Sequence, residues 1–291
     1  MVPVEFPQAQ PLRVYCCIPN MGYTEPLAYD NRLVWFMRQA AREERARWIH
    51  SLHRGTNDPD SLRVLIETVT GQPYDRVLAA HRTWYEFYST TVGEILTPFA
   101  RELLTEKALD GNADLIFMVD DDMVGDPDVF FRLAETVVHG PADICGALAF
   151  TRGAPHRPVL YRQVNGFDPT NHKPFVQNRA IERYPKDSLV ECDAVGFGAV
   201  VFTAEIARKM KPPRFMNTTG SGEDIFFCYK AREECGARVF SDTRVKLGHM
   251  GYKPIIDEDT YEAQQHIQEQ RARLGDEVPA TPEPMTWGAM R

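Results

Sequence analysis

The sequence predicts an α/β fold, and three observations carry that expectation. Leu115-Ile116-Phe117-Met118-Val119 is an apolar run without alternation, which suits a strand covered on both faces in a parallel sheet. Other strand-like runs, at 12–18, 144–150 and 195–202, alternate with helix-like segments, the pattern of a layered α/β domain. The 115–119 run stops at Asp120-Asp121-Asp122, and sheets of this class bind ligands beyond the carboxyl ends of their strands.

The first strand, Leu12 to Ile18, is closed by the turn Pro19-Asn20-Met21-Gly22, a second place where such folds hold ligands. The stretch from Leu27 to Leu52 is mixed, with a short strand at Arg47 to His50. Residues 57–90 carry Tyr74, Trp84, Tyr85, Phe87 and Tyr88 without a clean period. Thr91-Val92-Gly93-Glu94 reads as a capping box that opens a helix with Ile95, Leu96, Phe99 and Leu103 at helical spacing, ended by Gly111. After the three carboxylates, Asp126-Pro127 starts a helix whose buried stripe is Val129, Phe130, Leu133 and Val137.

Residues 151–187 are polar and proline-containing, a long loop or a set of short hairpins of the kind that serves function. Val195 to Phe202 is one apolar strand with two glycines, Gly196 and Gly198, which let a ligand or a backbone come close. Ser221-Gly222-Glu223-Asp224 opens a helix that Gly236 stops, and Arg238-Val239-Phe240 is a short strand. The tail from Asp257 to Leu274 is polar and helical, and Pro279 to Pro284 carries the composition of disorder. The expected organisation is one folded unit at 1–253, in two parts at 12–122 and 123–253, followed by a tail at 254–291.

The chain has 291 residues, 43% hydrophobic and 25% charged, enough for one large core. A net charge of −8 makes it a poor candidate for unaided nucleic-acid binding. It shows neither an 18-residue apolar stretch nor a secretory signal. Its six cysteines lack CxxC spacing and lie mostly in apolar surroundings. Together these predict a cytoplasmic protein with reduced, mostly buried thiols.

Three groups carry chemistry. Three adjacent carboxylates repel one another unless a cation or donors compensate, so Asp120-Asp121-Asp122 points to a divalent ion. Oxygen ligation favours Mg²⁺ or Mn²⁺ over zinc. A solvated turn is the plain alternative, but the preceding strand fixes these acids at one rim. Glu223-Asp224 has an equally plain reading as the acidic first turn of a helix capped by Ser221. Both roles can coexist when the helix start faces a cleft. His249, between Gly248 and Gly251, sits in a tight loop and can complete a carboxylate-rich Mn²⁺ site.

Taken together, an apolar strand ending in DxD, a Gly-rich strand, a GED helix start and a late histidine resemble the GT-A glycosyltransferases, in the broad family-2-like group that uses nucleotide-diphosphate sugars. The string Gly222-Glu223-Asp224-Ile225-Phe226-Phe227-Cys228, then Gly236-Ala237-Arg238-Val239-Phe240-Ser241-Asp242, then Gly248-His249, is similar to bacterial and phage-borne members. The likeness spans about residues 12–253 and departs from the family pattern at 40–95.

The resemblance implies a Rossmann-like three-layer sandwich with a mostly parallel central sheet. It implies transfer of a sugar from a UDP- or GDP-type donor to an acceptor hydroxyl, with Mn²⁺ or Mg²⁺ as cofactor. Asp120 would contact the donor ribose or reach the metal through water, Asp122 would bind the metal, and His249 would be a further metal ligand. Asp121 is the ambiguous middle member of the donor-binding set. Asp224 would be the base of an inverting transfer, with Glu223 orienting the acceptor; if Asp224 only caps its helix, a retaining transfer stays open. Pro19 and Asn20 would sit near the base, Gly198 beside the donor, and Asp193 near the sugar, with a solvated strand start as the other reading of Asp193. Residues 151–187 and 252–274 would be acceptor-side and lid elements. The acceptor stays open among glycan, small molecule, lipid, protein and modified nucleobase. Two other functions compete: a sugar-1-phosphate nucleotidyltransferase, disfavoured because the turn after the first strand lacks Lys and Arg, and a non-catalytic nucleotide-sugar binding module.

Overall fold

The computed structural model describes residues 11–20, 58–80, 83, 85–93, 95–168, 173–218, 220–250 and 256–274, with 37, 39–42, 44 and 49 besides. The turn at Met21–Thr24, Glu94, residues 251–255 and 275–291, and most of Leu27–Leu52, lie outside them; within the last, Ile49 is helical and buried.

The architecture is α/β. The strands are β1 (Leu12–Asn20), β2 (Tyr85–Gly93), β3 (Leu115–Val119), β4 (Met123–Gly125), β5 (Ile144–Leu148), β6 (Leu160–Asp168), β7 (Lys173–Ala180), β8 (Leu189–Cys192), β9 (Ala194–Val195), β10 (Ala199–Thr203) and β11 (Val239–His249). The central sheet has the order β2-β1-β3-β10-β5-β11-β4, with β8 also paired to β11. Strands β1, β2, β3, β5 and β11 run one way, and β10, β4 and β8 run against them. A smaller sheet, β7-β6-β9, lies in the 160–195 region. The polar stretch 151–187 therefore does contain a hairpin, with Tyr161 opposite Ala180 and Asp168 opposite Lys173.

The sheet is covered on both faces, as the apolar run at 115–119 predicts. Ile116 and Met118 enter one core cluster with Leu104, Phe202 and Phe227; Leu115, Phe117 and Val119 enter the other with Phe130 and Leu133. The helices are α1 (Pro59–Thr70), α2 (Tyr74–Ala80), α3 (Thr97–Asp110), α4 (Val129–Val138), α5 (Ala204–Lys209), α6 (Glu223–Cys235) and α7 (Glu258–Leu274). Helix α4 buries Val129, Phe130, Leu133 and Val137 as expected, but it starts at Val129 after Asp128, so Asp126-Pro127 precedes the helix and does not open it. All six cysteines are free, five buried and Cys235 half-buried.

Four other expectations fail. Thr91 opens no helix: it lies in β2, facing Ile18 in a parallel pairing, and its hydroxyl donates to the Ile18 carbonyl at 3.1 Å. The β-branched and aromatic content of Tyr85–Val92 wins over the capping pattern. Helix α3 starts only at Thr97, and its apolar stripe is turned outward: Leu96 is 67% and Phe99 66% exposed. Its buried face is Ala100, Arg101, Leu104, Thr105 and Ala108, where two alanines let the helix lie close on β1 and β2. The run 195–202 is two strands, β9 in the small sheet and β10 in the large one, broken at Gly196-Phe197-Gly198. Strand β11 is eleven residues, far longer than Arg238–Phe240. It bulges between Asp242 and Lys246 and carries buried Val245 and Leu247 on toward the ligand edge.

Helix α6 is pinned by Phe227, which stacks on Phe215 at 4.7 Å between centroids and meets Phe197 and Phe202 at 5.3 and 4.9 Å. Phe227→Ala should cost about 3–5 kcal/mol in urea denaturation, the usual loss for a fully buried aromatic. A loss below about 1 kcal/mol would show that this cluster does not hold the helix.

Candidate active site

The carboxyl ends of β1, β3, β5 and β11 meet at one edge of the sheet. Because β10 runs backwards, its first residues reach the same edge, and α6 begins there too. A cleft of about 390 Å³ opens at this place. Pro19 from β1, the three aspartates after β3, Glu223 and Asp224 from α6, and His249 from β11 all line it. The three groups singled out by sequence, up to 129 residues apart (249 − 120), share one wall system.

The triplet is held by its backbone. Asp120 N–H donates to the Gly198 carbonyl at 3.0 Å, and the Asp122 carbonyl accepts from Met250 N–H at 2.9 Å. His249 is the last residue of β11, opposite Met123 of β4. Its Nδ1 faces the Phe150 carbonyl at 2.8 Å. A carbonyl only accepts, so Nδ1 carries the proton, and Nε2 of the neutral ring is left with a lone pair. That Nε2 lies 3.2 Å from Asp122 Oδ2. Burial lowers the His249 pKa, with the nearby Arg152 charge adding to it against the opposing hydrogen bond to the Phe150 carbonyl and the charge of Asp120.

Asp122 and His249 are thus brought together, while Asp120 turns elsewhere. Its Oδ1 accepts from Arg101 Nη2 at 2.8 Å. Among the described residues, no cluster of three or more His, Cys, Asp or Glu is arranged to hold a metal ion. Two ligands fit one nevertheless. Neighbouring ligands at about 2.1 Å from Mg²⁺ lie about 3 Å apart in an octahedron, and Mg²⁺ commonly takes one or two protein ligands plus substrate phosphates and water. An oxygen and an imidazole nitrogen also suit Mn²⁺.

Ser221 does not cap α6. The N-cap is Gly222, without a side-chain cap bond, and the Ser221 hydroxyl accepts instead from Asn178 Nδ2 at 2.8 Å. Glu223 and Asp224 occupy the first turn, and Asp224 Oδ1 accepts from Ile225 N–H at 2.7 Å. Burial, with the charge of Glu223 adding to it, raises the Asp224 pKa against the opposing pull of Arg101. Asp120 is raised too, by burial first and then by Glu223 and Asp224.

Two arginines in the cleft escape sequence reading. Arg101 is only 3% exposed, with its guanidinium 5.1 Å from the Phe197 ring centroid and Nε 3.4 Å from Glu223 Oε1. Its Nε and Nη1 are buried without a hydrogen-bond partner among the described residues. The faint signal is a charged residue heading the stripe Arg101, Leu104, Thr105, Ala108 at helical spacing. Arg152, just beyond β5, contacts Asp122 Oδ2. Its signal is position alone, a basic residue past the carboxyl end of a central strand.

Other expected positions land outside the cleft lining. Gly198 sits beneath the triplet, where a Cβ would meet the Met123 methyl at 2.8 Å, so its close approach is to that side chain. Asn20 ends β1 opposite Gly93. Asp193 is neither solvated nor free for a sugar: it accepts from Gln163 N–H at 2.8 Å and pairs with Arg232 at 2.9 Å. Asp121 is buried and lines the cleft. Helix α7 packs beside the site through Tyr261, stacked on Phe150 at 5.0 Å.

Because the folded state raises the Asp224 pKa, its stability contribution is intact below the unfolded value, about 3.9, and is lost as pH rises through the folded value. Asp224→Asn should therefore raise the melting temperature at pH 7, with the gap to wild type narrowing as pH falls. Thermal melts across that range check it; a variant less stable than wild type at pH 7 contradicts it.

No protein-family model matches the sequence, and no curated protein matches it. Among solved structures, the chain is similar to A197 from STIV at 16% identity, covering 82% of this chain and 86% of that one with a TM-score of 0.46. It is also similar to apo UDP-glucose pyrophosphorylase at 11% identity, covering 89% of this chain and 100% of that one with a TM-score of 0.43. At that distance neither likeness bears on activity, and the functional reading stands on the geometry of the cleft.

Proposed function

We propose that the chain is a metal-dependent glycosyltransferase of GT-A type, moving a sugar from a nucleotide-diphosphate donor to an acceptor hydroxyl. The observation that carries this reading is the Asp122–His249 pair, an oxygen and a nitrogen lone pair 3.2 Å apart, in the same cleft as Glu223 and Asp224. Asp122 Oδ2 and His249 Nε2 would hold Mn²⁺ or Mg²⁺. When bound, the ion neutralises charge that builds on a departing diphosphate.

The chain's own groups do the rest. The Phe150 carbonyl fixes the imidazole tautomer so that Nε2 is the free lone pair. Arg101 keeps Asp120 and Glu223 at one end of the cleft. Asp224 takes the proton from the acceptor hydroxyl as its oxygen attacks the anomeric carbon and the bond to the diphosphate oxygen breaks. Its raised pKa brings this base nearer neutrality, which suits general-base work. Glu223 lies beside it to orient the acceptor.

The cleft also favours a second reading. Arg101 and Arg152 supply the positive charge that Pro19 and Asn20 at the end of β1 lack, so a sugar-1-phosphate nucleotidyltransferase is compatible with the site. The products separate the two: a nucleoside diphosphate from glycosyl transfer, pyrophosphate from nucleotidyl transfer.

UDP or GDP should bind wild type by calorimetry in the presence of Mn²⁺ and at least about tenfold more weakly without it. Asp122→Ala and His249→Ala should each remove the metal-dependent part. Asp224→Asn should keep nucleotide binding and lose transfer by about 10²–10⁴-fold, the usual worth of a general base. Metal-independent binding, or none, overturns the reading; turnover by Asp224→Asn at the wild-type rate removes the base assignment alone.

A further inference from the structure

The seat between Asp122 and His249 already has a cation in it. Arg152 Nη2 contacts Asp122 Oδ2, and the same nitrogen lies 3.3 Å from His249 Nε2. In the neutral ring both partners are acceptors there, since Nδ1 faces the Phe150 carbonyl and carries the imidazole proton. Two lone pairs 3.2 Å apart repel unless something positive lies against both. One guanidinium nitrogen does this, at the point where a metal ion would use the same two lone pairs. Arg152 and the ion therefore exclude each other.

The two arginines of the cleft differ in how they can respond. Arg101 is 3% exposed and pinned between Asp120 and Glu223, whereas the Arg152 side chain is 51% exposed. The backbone that carries Arg152 is anchored on both sides. Thr151 N–H donates to the Arg157 carbonyl at 2.9 Å, and Thr151 Oγ1 accepts from Arg157 N–H at 2.9 Å. Displacement then needs only side-chain rotation, toward water or into the cleft. A guanidinium fork is well shaped for phosphate oxygens. A diphosphate held by an ion at this seat would lie within reach of the arginine that the ion has just expelled.

We propose that Arg152 is a resident counter-ion that closes the metal seat in the empty enzyme, and that a divalent ion displaces it onto the diphosphate of the incoming nucleotide. This rests on the metal site of the proposed function. Its consequence is coupling: the ion alone binds weakly because it must evict Arg152, and a diphosphate that accepts the evicted guanidinium strengthens ion binding. By linkage the ion strengthens diphosphate binding by the same factor.

The test is Mn²⁺ titration, by calorimetry and by the loss of free-Mn²⁺ paramagnetic signal, with and without UDP. Wild type is compared with Arg152→Gln and Arg157→Gln. Arg157 belongs to the same loop but pairs with Glu182 at 3.3 Å, so its variant reports the general effect of losing one positive charge. Arg152→Gln should bind Mn²⁺ alone on the order of 5-fold more tightly than wild type, the size of one partly exposed ion pair. It should also lose most of the UDP–Mn²⁺ coupling, while Arg157→Gln keeps both values near wild type. Equal Mn²⁺ affinity in wild type and Arg152→Gln, or equal shifts in the two variants, overturns the counter-ion role and leaves the metal site standing. No Mn²⁺ binding by any of the three proteins, with or without UDP, overturns both.

Discussion

Packing acids into one cleft is the constraint on which this molecule is arranged, and the buried guanidinium of Arg101 is what makes it tolerable. Asp120, Asp121, Asp122, Glu223 and Asp224 all line a space of about 390 Å³. Arg101 reaches two of them from a single position, Asp120 at 2.8 Å and Glu223 at 3.4 Å, with Phe197 beneath its plane. A buried ion pair of this kind does little for net stability, but removing one side leaves the other uncompensated. The compensation is incomplete even so, because Asp120 and Asp224 keep raised pKa values. Among the described residues, Nε and Nη1 of Arg101 still lack a hydrogen-bond partner, and buried donors in that state are uncommon.

The sheet serves this arrangement through its one reversed central strand. With β10 antiparallel between β3 and β5, its entry at Gly198 meets the exit of β3, and the Gly198 carbonyl holds the first aspartate by its amide. The aromatic cluster around Phe227 then fixes α6 so that its first turn faces the same edge. On the far side, the long β11 bulges, continues past β5 and pairs with β4 to deliver His249. The Met250–Asp122 backbone bond ties the residue after His249 to Asp122, so the main chain holds the two side chains on facing segments.

The segments after β5 tie the cleft to the end of the chain. Phe150 orients His249 with its carbonyl and receives Tyr261 of α7 on its ring. His156 N–H donates to Gln264 Oε1 at 3.1 Å, and His249 pairs with Ile256 across the 251–255 stretch. A shift of α7 would therefore reach the imidazole through a single residue. The loop bearing Arg152 is thus fixed in backbone, and its side chain, paired with Asp122, is half exposed where that of Arg101 is buried.

The linear sequence by itself determined what depends on neighbours along the chain. The apolar run 115–119 specified a strand buried on both faces, and the acids after it had to sit at that strand's exit. Val129, Phe130, Leu133 and Val137 specified the inward face of α4. Burial overturned the local signals elsewhere: Thr91-Val92-Gly93 became strand because β1 offered a partner, and the outward stripe of α3 lost to small residues that let the helix approach the sheet. Only the tertiary structure decided that Asp122 meets His249 while Asp120 meets Arg101, and that Asp193 belongs to Arg232. Those pairings join residues 19 to 127 positions apart, and which partner each carboxylate meets is assigned by geometry that no local pattern encodes.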